Sequence, residues 1–415
     1  MPGKILVDIT PLRVSRDFRL LFIGQLISML GTQLTVVAIP YQVYRMTHSS
    51  LQVGAISLAQ LFPFIAGALV AGPLGDSLDR RRIMLWTAGA LSLTSAALAF
   101  NASTHHPSLL ALYLVSSLAA AVNGFSNTAR LASVPGLVER RHIPAAAAMM
   151  QITFQVGSVV GPALSGLLLG LGLPLVYGID AGTFIVAIIA TAMMAPIPGA
   201  QGTGLSPWES AKEGMRFLRG HQPLQGVYII DINAMVFGMP RALFPAMAGS
   251  VFGGGTITLG FLYAAPGIGA LIGAVTTGWV AHLKRQGWGV ILAVVAWGTA
   301  IAVFGLVDTL WVGLFMLAIA GWADVISAVL RNTILQMSIP DRFRSRMSSI
   351  QMAVVQGGPR LGDMESGAVA TATSLEFSVV SGGLACIAGA VVIGLLMPRF
   401  RAHLAAPDEI EDVAV

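Results

Sequence analysis

Charged side chains interrupt the long apolar runs of this 415-residue chain at few places, and those places are where chemistry can occur. A run near residues 224–248 carries Asp231, Asn233 and Arg241. A run near 309–331 carries Asp324 beside Trp322, and one near 347–371 carries Arg360, Asp363 and Glu365 just after Gly357-Gly358-Pro359. An ionised group inside an apolar medium is costly unless paired or hydrated, so each is a functional candidate. A carboxylate shielded from water takes up a proton more readily than one in solution. Asp231, Asp324, Asp363 and Glu365 are therefore the proton-carrying candidates, with Asp231 and Asp324 foremost; a fixed structural pair is the alternative. Arg241 reads equally as a contact for an anionic substrate and as a salt bridge to Asp363. Arg360 and Asp363 stand three residues apart, where helical neighbours can pair. On one continuous helix, Asn233, Phe237 and Arg241 form a stripe at i, i+4, i+8, and these three with Arg360 are candidates to line a substrate cavity. Asp231 would then lie about 12 Å and Arg241 about 27 Å from the cytoplasmic end.

Elements must exist that hold such charges in place. A bilayer crossing needs about 20 mostly apolar residues. Twelve such runs lie near 19–43, 51–75, 83–101, 108–130, 146–170, 174–196, 224–248, 257–281, 289–306, 309–331, 347–371 and 376–398. They are too long and too uniformly apolar for the alternating strands of a membrane barrel. An all-α membrane protein of twelve transmembrane helices is expected. The 47 Gly and 21 Pro suit closely packed, locally broken helices. Gln25, Ser28 and Thr32 in the first run, Asn123 and Asn127 in the fourth, and Trp322 in the tenth are candidates to line a cavity. Polar residues of this kind also join helix to helix. Asp180 stands near the outer end of the sixth run, where an interfacial place is expected.

The basic residues report orientation. Of 24 Lys and Arg, all but Arg45, Arg241 and Arg360 fall at the chain ends or in alternate gaps between runs. That group includes Arg80, Arg81 and Arg82, then Arg130, and further on Arg331. Retention of Lys and Arg on the cytoplasmic side explains the alternation and puts both termini in the cytoplasm. The longest basic gap, residues 198–223, divides the chain into segments 1–197 and 224–415 and begins a short amphipathic helix at Ser206-Pro207-Trp208-Glu209. The segments repeat weakly: Gly54 and Gly72 match Gly260 and Gly278, Arg130 matches Arg331, and Gly161-Pro162 matches Gly358-Pro359, at offsets near 200 residues. Two parallel six-helix repeats are a known transporter architecture.

Composition narrows the classes. Charged residues make up 10% and apolar residues 55%, with a mean hydropathy of +0.78. Soluble proteins carry roughly 25% charged residues, so lipid is expected to solvate much of the surface. The net charge of +5 is spread over short loops with no basic domain, which points to anionic lipid headgroups rather than nucleic acid. The single Cys386 permits no intrachain disulfide and no cysteine metal cluster. No removable signal peptide is seen near the N-terminus. All seven His lie in loops or near helix ends. A membrane enzyme, which needs clustered acid–base groups, is disfavoured, as is a non-transporting receptor. Without a nucleotide-binding loop, ATP-driven transport is disfavoured too. Neither cofactor nor metal is expected.

Two motifs carry a family resemblance. Gly72-Pro-Leu-Gly-Asp76-Ser-Leu-Asp79-Arg80-Arg81-Arg82 resembles the signature loop of the major facilitator superfamily, which commonly has Arg at the place of Ser77 and Gly at that of Asp79. The resemblance implies a conformational latch at Gly72, Asp76 and Arg80–Arg82, with Arg130 as the partner of Asp76; setting topology is the plainer role for the arginines. Gly157-Ser-Val-Val-Gly161-Pro162-Ala-Leu-Ser165-Gly166 resembles the superfamily's export motif, with Ser165 in place of a Gly. Its residues Gly157, Gly161, Pro162 and Gly166 also suit plain helix packing. Further stretches, Met46–Gly54, Val134–Arg140, Arg241–Ala248, Gly260–Gly273 and Leu335–Arg346, look like the enterobactin exporter branch and cover nearly the whole chain. The resemblance implies a proton-driven exporter of siderophore-like small molecules in a bacterial inner membrane, with a broad multidrug exporter as the alternative; a monomer is expected.

Overall fold

The computed structural model describes residues 8–77, 79–197, 207–340 and 343–404. Among them every regular element is a helix. After a short turn, α1 (Thr10–Val14), come α2 (Arg16–Thr47), α3 (Ser50–Ser77), α4 (Arg80–Ser103), α5 (Leu109–Leu137), α6 (Ile143–Leu169) and α7 (Leu173–Ala192). The amphipathic α8 (Pro207–Arg219) follows, then α9 (Gln222–Phe237), α10 (Phe244–Ser250), α11 (Thr256–Thr276), α12 (Gln286–Phe304) and α13 (Leu310–Ser338). The chain continues through α14 (Arg344–Ala372) and α15 (Leu375–Leu396) to the turn α16 (Pro398–Arg401).

Each expected run coincides with a helical stretch. Among the described residues, eleven stretches are long and apolar enough to cross a membrane. The exception is α14, which has the length, 29 residues, but carries Arg360, Asp363 and Glu365. Its polarity is a consequence of the charges it delivers. Large apolar side chains point outward, among them Trp86 at 80% and Trp311 at 74% exposure. Water would penalise such a surface, whereas hydrocarbon does not.

The chain forms two compact units. The first takes its described residues from Met1–Met46, Ala59–Gly204 and Leu259–Ala264. The second takes Thr47–Leu58, Leu205–Thr258 and Ala265–Val415. In the first, α4 packs on α5 and α7. In the second, α12 packs on α13 and α15, and α14 packs on α9 and α8. The amphipathic α8 is tied to the start of α14 by the Glu213–Arg346 ion pair at 2.6 Å and by Phe217 stacked on Phe343 at 4.3 Å.

Small residues set the helix spacing. A Cβ at Gly321 on α13 would overlap the Pro266 carbonyl of α11, so the two backbones touch there. Gly321→Ala should therefore cost about 1–3 kcal/mol through forced separation of the pair, read as a lower thermal unfolding midpoint in detergent.

Candidate functional site

The second unit buries a set of opposed charges, and a helix break places the first of them. The α9 helix ends at Phe237, and Gly238 caps it by donating its N–H to Ala234 at 2.8 Å. Pro240 lacks a backbone donor and cannot continue the ladder. A 3-10 turn, Arg241–Leu243, then leads into α10. The expected i, i+8 stripe is thus interrupted, and Arg241 is aimed by the turn rather than by helical continuation. The break is held open from α12, where buried Trp297 donates its indole N–H to the Gly238 carbonyl at 2.7 Å. Trp297→Phe would leave that carbonyl unsatisfied. It should cost about 1–3 kcal/mol of stability, measured by thermal unfolding.

The charges alternate in sign. Arg331 of α13 is 6% exposed and pairs through Nη1 with Asp231 of α9. Its Nη2 lies 3.6 Å from Asp324, two helical turns earlier on α13. Asp324 is in turn under the influence of Arg241. Arg241 and Arg360 both act electrostatically on Asp363 of α14. The Asp363 carboxylate also accepts from the Ser57 hydroxyl and the Ala242 N–H. The order is Asp231, Arg331, Asp324, Arg241, Asp363, Arg360: three acids, three bases, no net charge. Burying isolated ions costs several kcal/mol each, and alternation offsets that cost.

The two foremost carboxylates differ. The Asp231 side chain is 9% exposed and paired directly with Arg331 through Oδ1; that of Asp324 is 31% exposed. One guanidinium therefore serves two carboxylates, holding one tightly and the other loosely. Close packing positions the far end of the network. A Cβ at Gly54 would overlap the Asp363 carbonyl, so α3 and α14 touch and Ser57, one turn along, reaches the carboxylate.

The remaining expected residues are scattered. Asn233 donates to the Cys386 carbonyl of α15 at 2.9 Å and so joins two helices. Phe237 is the last residue of α9, and its carbonyl lies against Gly382 of α15. Trp322 donates to the Thr276 hydroxyl of α11 at 3.0 Å. Arg360 donates to the Gln356 carbonyl of its own helix at 3.3 Å. Glu365 is half-buried, and no charged side chain among the described residues acts on it. Gln25 on α2 and Asn123 on α5 are half-buried in the first unit.

The signature loop belongs to the first unit. Gly72 and Asp76 fall on the last turns of α3, and the side chains of residues 72–78 lie outside the described residues. Arg130, the partner expected for Asp76, donates to Asn127 at 2.9 Å on its own helix. Asp79, where the superfamily commonly has Gly, is the N-cap of α4 and accepts from Arg81 N–H at 2.9 Å and Ile197 N–H at 3.0 Å. Arg80 donates its backbone N–H to Ile197 at 3.0 Å. Arg81 donates to the Thr191 carbonyl at 3.2 Å and to that of Ala192, capping α7 with a cation where a helix end is negative. Arg82 is exposed. Asp79→Ala should cost about 0.5–2 kcal/mol through loss of the cap, read by thermal unfolding.

On α6 the export motif faces α2. A Cβ at Gly157 would stand 2.7 Å from Met29, and one at Gly161 would overlap Gln33. Ser165, in the place of a Gly, is fully buried and donates to the Leu34 carbonyl at 2.9 Å. Pro162 and Gly166 lie against Gly260, where a Cβ would stand 2.7 Å from the Pro162 oxygen.

Two corrections follow. Arg331, grouped by sequence with the topology-setting cations, is buried at the hub of the network. Its signal was the spacing to Asp324, seven residues along one helix face. Asp180, expected at an interface, is 2% exposed. Trp297 and Ser57 carried no sequence signal, since their roles depend on contacts between distant segments.

The comparisons agree with this architecture. A family model described as transmembrane secretion effector matches residues 7–412. The enterobactin exporters EntS of Shigella boydii and Escherichia coli are 31% identical over 408 residues, covering 98% of this chain and 97% of theirs. Among solved structures, the nucleoside transporter NupG superposes with a TM-score of 0.76 at 12% identity, over 92% of this chain and 99% of that one. A bacterial homologue of the lysosomal transporter Spinster gives 0.73 at 15% identity, over 94% and 98%. Eleven apolar helices, buried intramembrane charges and a match from end to end leave one conclusion: the chain belongs to the transmembrane secretion effector family of the major facilitator superfamily, and is a multi-pass transporter of the bacterial inner membrane rather than an enzyme.

Proposed function

We propose that this protein exports siderophore-like, small amphipathic molecules from the cytoplasm in exchange for protons. The observation that carries the reading is the sharing of Arg331 between Asp231 and Asp324. Asp324 is the proton carrier: it is the more exposed and the more loosely held. A proton on Asp324 removes its claim on Arg331 and Arg241, and Arg241 is then available to an anionic group on the substrate. Asp231 stays paired and anchors the hub. Asp363 holds Arg241 when no substrate does, and Arg360 and Glu365 are secondary contacts. Gln25 and Asn123 are neutral hydrogen-bonding candidates within the first unit.

The chain crosses the membrane twelve times, α14 being the polar crossing, with both termini cytoplasmic. That topology rests on the alternation of basic gaps. Two six-helix bundles, 1–197 and 224–415, flank the linker 198–223. The loop around Asp76 and Arg130 acts as a latch and Arg82 meets anionic lipid. The working form is a monomer, alternating its access without cofactor or metal.

Flux into proteoliposomes under an imposed pH gradient tests the reading. Enterobactin, a hydroxamate siderophore and ethidium are the probes. Proton-driven movement of enterobactin is the expected result. Movement of ethidium alone replaces it with the multidrug reading, and movement of none defeats both.

A further inference from the structure

The network in the second unit leaves one buried carboxylate unused. Asp180 of α7 lies in the first unit, 2% exposed, in a cage drawn from three helices. The Thr35 hydroxyl of α2 and the Ser95 hydroxyl of α4 each donate to Oδ2 at 2.7 Å. The other oxygen, Oδ1, is buried and has no hydrogen-bond partner among the described residues. It lies against Gly31 of α2, where a Cβ would come within 2.7 Å of it. Among the described residues no basic side chain acts on Asp180. Among the described residues the groups facing it are Thr35 and the Gly31 backbone from α2, Ser95 from α4, and, as the one other titratable group, Tyr177 from α7 itself. Tyr177 is engaged elsewhere, donating to Gln42 at 2.7 Å.

Two neutral donors on one oxygen do not compensate a full negative charge inside an apolar unit, where an unpaired ion costs several kcal/mol. Two species cancel the charge without a basic side chain: a proton or a small metal cation. A cation needs about six oxygen ligands, and the Gly31 backbone closes the space beside Oδ1. A proton needs no space. We infer that Asp180 is a proton-binding site of the first unit, protonated on Oδ1 in this structure and exchanging that proton during transport. The exchange is a simple one: the O–H bond at Oδ1 forms with a proton drawn from water and breaks by returning it to water that reaches the cage when α2 moves.

The export motif links the site to movement. The stretch of α2 that cages Asp180 through Gly31 and Thr35 also carries Met29 and Gln33, which fill the spaces over Gly157 and Gly161 of α6. Its Leu34 carbonyl accepts from Ser165. One stretch of helix thus lies between the export motif and the carboxylate, and displacing it on one side opens the other. The inference goes beyond the coupling role given to Asp324 and does not depend on it.

Infrared difference spectroscopy on the purified full-length protein tests it. Wild type at neutral pH should show the carbonyl band of a buried protonated carboxyl, sensitive to deuterium. Asp180→Asn should remove that band, and Asp324→Asn should retain it. An unchanged spectrum in Asp180→Asn overturns the inference, as does a sodium-dependent carboxylate band in wild type. For exchange, the pH dependence of enterobactin efflux in proteoliposomes is compared. Asp180→Asn, which mimics the protonated form, should lose part of the wild-type pH response; an unchanged response overturns the exchange. Should Asp180→Asn fail to fold, Thr35→Val with Ser95→Ala serves instead. Removing both donors should keep the band and shift it to higher frequency; an unshifted band overturns the cage assignment. A pH-independent wild type would defeat the proton-coupled export reading and leave the spectroscopic result standing.

Discussion

Arg331→Met should be among the most damaging single changes in this chain. It removes the cation shared by Asp231 and Asp324 and leaves Asp231, 9% exposed in its side chain, without a counter-charge. Breaking a buried pair from one side costs about 3–5 kcal/mol. Against a total stability of about 5–15 kcal/mol, that is enough to collapse folded yield. The expected result is a large drop in the unfolding midpoint in detergent and no measurable flux. A second variant separates charge from packing. Adding Asp231→Asn to Arg331→Met removes the orphaned charge and should recover most of the stability, while flux stays absent because Asp324 has lost its partner. Equal stability of the single and double variants would show that the pair does not govern the fold.

Asp324→Asn should do the reverse: little loss of stability and a large loss of coupling. Its side chain is partly exposed and 3.6 Å from Arg331, so replacing it strands no buried ion. An amide cannot carry a proton. Under the proposed proton exchange, each proton adds about 1.4 kcal/mol per pH unit to the driving force, about tenfold in the substrate gradient. Acid outside should therefore raise wild-type efflux. Asp324→Asn should lose about tenfold of gradient per imposed pH unit for each proton no longer exchanged, yet retain exchange of substrate for substrate. Flux at several imposed gradients reads both. Wild-type gradient dependence in Asp324→Asn would move the carrier to another carboxylate, with Asp363 next, since Arg241 and Arg360 both act on it.

The contrast between these two aspartates lies beyond the reach of sequence. Both stand in apolar runs, and both qualify as carriers by residue type. What separates them is the reach of one guanidinium from α13, and that depends on how α9 and α13 pack. Asn233 shows the same limit from the other side. Its place in a stripe suggested a cavity, yet its amide is spent on the Cys386 carbonyl. A helix has several faces, and spacing alone does not say which neighbour each one meets. Asp79 is a further case. In the sequence it is only a departure from a family pattern, whereas its side chain caps α4 and receives the N–H of Ile197, more than a hundred residues away.

Local rules sufficed for much else. Helix positions were legible because hydrocarbon imposes a length and a polarity on every crossing, and each of the twelve expected runs coincides with a helical stretch. The family was legible because its motifs are contiguous, and so were the intramembrane charges of α9, α13 and α14, since cost alone marks them. Tertiary structure decided the rest. It turned Arg241 out of its stripe through the break at Gly238–Pro240, buried Arg331 among acids, and drew Thr35, Ser95 and Asp180 into one cage from three helices. The physical reason is one of range. Hydropathy and helix propensity act over a few residues and can be summed along a chain. The pairing of charges in a medium that does not screen them acts through space, between segments a hundred residues apart, and exists only once the helices have packed.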